Sequence, residues 1–70
     1  MMTEILFQIE EDAGGGFTAR AAGHSIFTEA ETLDELRGNI RDAVRCHFEK
    51  PEDRPKIVRL HFVRDEVMAL

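Results

Sequence analysis

"EEDAGGGFTARAAG", residues 10–23, decides the fold of this chain, because its three consecutive glycines admit two opposite readings. Letter by letter, Gly14, Gly16 and Ala19 satisfy G-x-G-x-x-A, the dinucleotide fingerprint. That motif holds a pyrophosphate only where a strand leads through the loop into a helix, whose first free N–H groups face the phosphates. Here the loop leads into Phe17, Ala19 and Ala21 alternating with Thr18, Arg20 and Ala22, the period of a strand. The Gly-Lys-Ser/Thr ending of a Walker loop is also missing. The glycines therefore read as turn residues, with positive φ at Gly14 to Gly16 letting two strands pair.

The strand before the turn is "EILFQIE", residues 4–10, in which Ile5, Phe7 and Ile9 alternate with Leu6, Gln8 and Glu10. One face of it is to be buried. After Gly23 and His24, "SIFTEA" supplies a third short strand, so the first thirty residues form an antiparallel meander. Then the period changes. "TLDELRGNIRDAVRCHFE", residues 32–49, opens with Thr32 and Glu35 at capping-box spacing, and Asp34 and Glu35 suit the positive end of a helix dipole. Leu33, Leu36, Ile40, Ala43, Val44 and His47 fall on one helical face. Arg37, Arg41 and Arg45 line one flank, while Glu35, Asp42 and Cys46 face solvent.

"KPEDRP" stops the helix with two prolines, and "KIVRLHFVRDEVMAL" reads as a last strand. Ile57, Arg59, His61 and Val63 share one face, Val58, Leu60 and Phe62 the other. With apolar residues on both faces, this strand is either central to the sheet or an edge covered by a second subunit through Val58, Leu60 and Phe62. The order is β-β-β-α-β, an α+β fold of one sheet and one helix in a single domain spanning residues 1–70. No internal repeat or linker interrupts it.

Seventy residues bury only about 60 % of their unfolded surface, so a fold of this size calls for an extra source of stability. Disulfides cannot supply it, since Cys46 is the only cysteine, and no metal-ligand spacing is visible. Oligomerisation is left, with a dimer as the simplest form. There is no apolar run of membrane-spanning length and no signal-peptide pattern, so a cytoplasmic protein is expected. The net charge of −5 is uneven: residues 1–35 hold eight acids against Arg20, whereas residues 36–70 hold six acids against eight bases. An acidic first half repels nucleic acid and attracts basic surfaces, which makes a basic protein partner the natural expectation, beside the plainer reading of solubilising charge.

Catalytic constellations are weak. His24, His47 and His61 show no metal spacing, and Cys46 and His47 point about 100° apart on a helix rather than forming a nucleophile and base. His47 reads as a core-edge residue near the helix C-terminus. Glu10, Glu11 and Asp12 are consecutive in a turn, where charge at a loop tip is the ordinary explanation. The arginine flank can grip an anionic partner or pair with its own Asp and Glu neighbours. Neither a catalytic residue, nor a cofactor, nor a metal site is assigned.

The order of elements, the stretch "IEEDAGGGFTARAAGHSIFTEAETLDEL" and a helix of the form T-L-x-E-L-x-x-N-I-x-x-A-V resemble the N-terminal domain of HicB antitoxins, partners of HicA messenger-RNA interferases. The ending "IVRLHFVRDEVMAL" is similar to that of a short stand-alone branch lacking the C-terminal DNA-binding segment. The resemblance covers residues 4 to about 64. It implies a degenerate ribonuclease-H-like fold without nuclease activity, because the first strand has Leu6, Phe7 and Gln8 where the active enzymes carry an acid needed for a two-metal site. It further implies a HicA-like basic toxin as partner; the acidic first half motivates Glu10, Glu11, Asp12, Glu29 and Glu31 as its contacts, His24 at its turn reads as a surface contact, and no direct nucleic-acid binding is expected. Two other readings stand beside it: an orphan homo-oligomer without a toxin, and a residual nuclease using Glu10 and its neighbours.

Overall fold

Alternation in residues 4–11 and 17–21 gives two strands, β1 (Glu4–Glu11) and β2 (Phe17–Ala21), joined by the glycine turn. β3 (Phe27–Ala30), a helix α1 (Leu33–His47), a single 3-10 turn at Pro51–Asp53 and β4 (Ile57–Val63) follow. The computed structural model describes residues 3–70. It shows an α+β architecture with a four-stranded mixed sheet in the order β3-β2-β1-β4.

The meander is antiparallel, with Ile9 opposite Ala19 and Ala19 opposite Thr28. β4 runs parallel to β1, pairing Ile5 with Val58, Phe7 with Leu60 and Ile9 with Phe62. A parallel pair needs a crossover connection, and α1 with the proline connector provides it. The backbone N–H groups of Lys56 and Ile57 both donate to the carbonyl of Thr3 at 3.0 Å, which fixes where β4 begins. On the outer face, Arg59 donates to Glu4 Oε1 from Nη2 at 2.9 Å and from Nε at 3.1 Å, tying the same two strands. That hydrogen bond, and then the carboxylate's charge, hold the Arg59 guanidinium above its usual range. A raised pKa means that its contribution is present below the unfolded-state value and is lost only as pH rises through the folded one. For an arginine this lies beyond the working range.

Alternation places Ile5, Phe7 and Ile9 of β1 and Ala19 and Ala21 of β2 under the helix, where they form one buried core with Ile26, Leu36, Ile40 and Val44. Leu33 and Ala43 pack at its margin. α1 starts as its sequence dictates: the Glu35 N–H donates to Thr32 Oγ1 at 3.2 Å. It lies chiefly over β2 and β3, and Asn39 Nδ2 donates to the carbonyl of Glu29 at 3.1 Å, pinning the helix to β3.

Three expectations are corrected and one open alternative is resolved. Positive φ occurs at Gly15 (94°) and Gly16 (89°) but not at Gly14, because the turn closes between Asp12 and Gly16 and Gly14 only bridges its tip. β3 begins at Phe27, since Ile26 turns into the core before pairing starts, and Phe27 then points outward beneath Arg20, 5.7 Å from the guanidinium carbon to the ring centre. His47 is exposed instead of completing the apolar helical face, because it is the last helical residue. Its ring meets those of His24 at 5.7 Å and Phe48 at 4.8 Å, edge to face. Finally, of the two positions open to the last strand, β4 takes the edge.

Candidate functional site

The two acidic stretches meet at the end of the sheet where β1 hands over to β2. β1 ends in Glu10 and Glu11, and the turn carries Asp12, whose N–H donates to the Gly16 carbonyl while its own carbonyl accepts from Gly15, each at 2.9 Å. Gly16 is needed there for a second reason. A Cβ on it would stand 3.1 Å from the backbone oxygen of Ala30, so the hairpin presses against the end of β3.

Beside this turn lies an open groove of about 840 Å³, between the start of α1 and the end of β4. Its apolar floor is Ile9, Phe17, Leu33 and Phe62. Glu10, Glu11, Asp12 and Asp65 supply acids along the rim, with Arg64 the one base. On the other side of Asp12 a second depression of about 390 Å³ gathers Glu29, Glu31 and Glu35. One acidic rim thus runs from Glu10 through Asp12 to Glu35. Among the described residues the ion pairs are Arg37–Asp34, Arg45–Asp42 and Arg59–Glu4, so none of the rim carboxylates is neutralised by a base. Two of the three helix arginines are occupied by their own neighbours.

Of the six sequence-predicted contact residues, the fold brings together Glu10, Glu11, Asp12, Glu29 and Glu31. His24 is not with them. It follows β2, and β2 runs back along β1, so His24 sits at the far end of the sheet against His47 and Phe48. Val58, Leu60 and Phe62 share the helix-side face, being in register with buried Ile5, Phe7 and Ile9. Leu60 packs half-buried against the core, whereas its neighbours on that face stay open to solvent, Val58 37 % and Phe62 50 % exposed. Phe62 belongs to both features, closing the groove and lining β4.

Two groups escaped sequence reasoning. Leu33 and Phe17 read as core residues, and only the tertiary arrangement shows them half-buried on the groove floor. Glu35 reads as a helix-capping residue, yet its carboxylate also joins the rim. As for chemistry, no three His, Cys, Asp or Glu side chains among the described residues converge into a set able to hold a metal ion. Cys46 is free and exposed. No helix among the described residues is long and apolar enough to cross a membrane. The arrangement offers an apolar slot bordered by unpaired negative charge, which is binding chemistry.

No family model matches the chain, and no solved structure matches it. A UPF0150 protein of Archaeoglobus fulgidus is 55 % identical over 53 residues, which are 76 % of this chain and 77 % of that protein. A UPF0150 protein of Thermotoga maritima is 42 % identical over 67 residues, covering 96 % of this chain and 93 % of its relative. At that identity across nearly the full length of both proteins, the chain belongs to the UPF0150 family.

Proposed function

We propose that this domain is a non-catalytic, antitoxin-like binding protein of the HicB type, whose acidic rim and groove receive a small basic RNA-cleaving toxin resembling HicA. The observation that carries the reading is the pairing of an apolar floor at Ile9, Phe17, Leu33 and Phe62 with carboxylates that have no basic neighbour. A nuclease that grips RNA must present positive charge, and the unpaired carboxylates of Glu10, Glu11, Asp12, Glu29, Glu31 and Glu35 offer it the complementary sign. The apolar floor supplies the burial that charge alone does not.

The element order β-β-β-α-β, with a helix between the meander and the last strand, supports a degenerate ribonuclease-H-like fold. Within β1, Phe7 is fully buried in the core and Gln8 is exposed, so the strand's middle carries no carboxylate for a metal-dependent cleavage site. The test is co-expression with the product of a small basic reading frame next to this gene. Co-purification with that product and rescue of growth from its toxicity are expected. Absence of such a neighbour, together with no rescue of a HicA-type toxin, would overturn the reading. A second reading, an orphan homo-oligomer with no toxin, is favoured by a different observation, the uncovered face of β4.

A further inference from the structure

The geometry points to residues 64–68 as a closing arm of the groove: a segment that lies open in the free protein and folds over a seated basic partner, covering it with Val67 and Met68. The inference rests on the reading of the groove as the site of a basic protein, and it adds a second contact surface to that site.

The groove as it stands is one wall short. Ile9, Phe17 and Leu33 form its floor, but Phe62, its remaining apolar residue, belongs to the edge strand and is 50 % exposed. A partner's apolar side chain laid on this floor keeps one side in water, and an interface anchor contributes most where the contacts around it exclude water. The chain itself continues at the open side. The ladder between β1 and β4 ends at Glu10 and Val63, the next two residues, Arg64 and Asp65, line the groove, and residues 64–70 form neither helix nor strand. Val67 and Met68 follow without apolar cover of their own, 94 % and 75 % exposed. Met68 lies three residues beyond Asp65, so about 10 Å of chain brings both over the mouth of the groove. The molecule measures 52 × 21 × 18 Å, with a radius of gyration of 13.6 Å against about 11 Å for a compact domain of 70 residues, and the extension is this segment.

Like charge holds the arm off. Asp65 and Glu66 carry the sign of Glu10, Glu11 and Asp12, and none of these carboxylates has an ion-pair partner among the described residues. Ordering the segment also costs conformational entropy, which burial against an open groove does not offset. A basic partner reverses both conditions. Its Lys and Arg residues neutralise rim and arm together, and its apolar anchor gives Val67 and Met68 a second surface to be buried against. Closing is therefore conditional on the partner being basic. Rim charges act at a distance and set how fast a partner arrives, whereas the arm closes after encounter and sets how long it stays.

The chain contains no tryptophan, so Met68→Trp reports on the arm alone. In the free protein its emission is that of an indole in water. Adding Glu66→Lys, which gives the arm a charge opposite to the rim, shifts that emission to shorter wavelength with no partner present. An unchanged emission overturns the proposal. The probe for binding is the small basic protein encoded beside this gene or, where there is none, a HicA-type toxin with its active site disabled. Its arrival shifts the Met68→Trp emission in the same direction. Val67→Ser with Met68→Ser, both outside the core, shortens the lifetime of the complex about tenfold at a little-changed association rate. A complex of unchanged lifetime overturns the arm and leaves the reading of the groove standing. No complex with the parent chain overturns that reading, and the arm with it.

Discussion

Arg54 donates from Nε to the carbonyl oxygen of Phe48 at 2.8 Å, and its Nη2 reaches the carbonyls of Glu49 at 3.1 Å and Arg45 at 3.4 Å. The last turn of a helix leaves carbonyls without intrahelical donors, and one guanidinium from the connector satisfies several at once while adding positive charge at the negative end of the dipole. Arg54→Ala should therefore lower stability by about 1–2 kcal/mol, read as a fall in the urea midpoint. Arg54→Lys restores only part of it, because a single ammonium cannot reproduce the planar fork. Equal midpoints for Arg54→Ala and the parent chain would show that water caps this helix as well as Arg54 does.

The glycine turn makes a graded prediction. Gly14 has ordinary φ and open space around it, and Gly15 has φ 94° with open space. Gly16 has φ 89°, and a methyl carbon added there would stand 3.1 Å from the Ala30 oxygen. Substitution by Ala should accordingly be near neutral at Gly14 and cost about 1 kcal/mol or more at Gly15. Gly16→Ala should cost the most, since backbone strain is joined by a clash with another strand's backbone. Thermal melts of the three variants check the order, and an equal loss at all three would contradict it.

Local pattern makes much of this legible. Alternation in "EILFQIE" and "FTARAAG" gives the buried faces residue by residue, and Thr32 with Glu35 gives the helix start, because those signals depend on neighbours in the chain. The edge position of β4 is not written in that pattern, since a strand apolar on both faces fits a central or an uncovered place equally well, and only its parallel pairing with β1 resolves it. The acids of the candidate site are visible as two separate clusters, but nothing in the chain shows that Glu29 and Glu31 return to Asp12. His24 defeats sequence reasoning for the same reason: its neighbours in space, His47 and Phe48, lie more than twenty residues away in sequence.

Phe7 and Phe27 are the same residue type on one sheet with opposite fates, 0 % and 54 % exposed. Phe7 sits at the centre of the core, so Phe7→Ala should cost about 3–5 kcal/mol, enough to leave so small a domain largely unfolded at ambient temperature. Phe27 rests on the outer face under Arg20. Its replacement by Ala loses little burial and one cation–π contact, about 0.5–1 kcal/mol. Chemical denaturation separates the two, and a loss at Phe27 as large as that at Phe7 would mean that the outer face is covered in solution.

The acidic rim is tested by charge rather than by shape. Glu11 and Glu29 make no side-chain hydrogen bond or ion pair among the described residues, so reversing them to Lys leaves the fold's own interactions in place. If a basic partner docks at the rim, Glu11→Lys with Glu29→Lys should weaken binding by about tenfold or more, mainly through a slower association rate, with the melting temperature little changed. Raising the salt concentration should narrow the gap between variant and parent, because rim charges act over a distance that ions screen. Glu52→Lys, in the 3-10 turn of the connector, adds the same charge away from the rim and serves as the control. An equal loss from Glu52→Lys would reduce the effect to net charge, and no loss from the rim pair would place the partner elsewhere on the molecule.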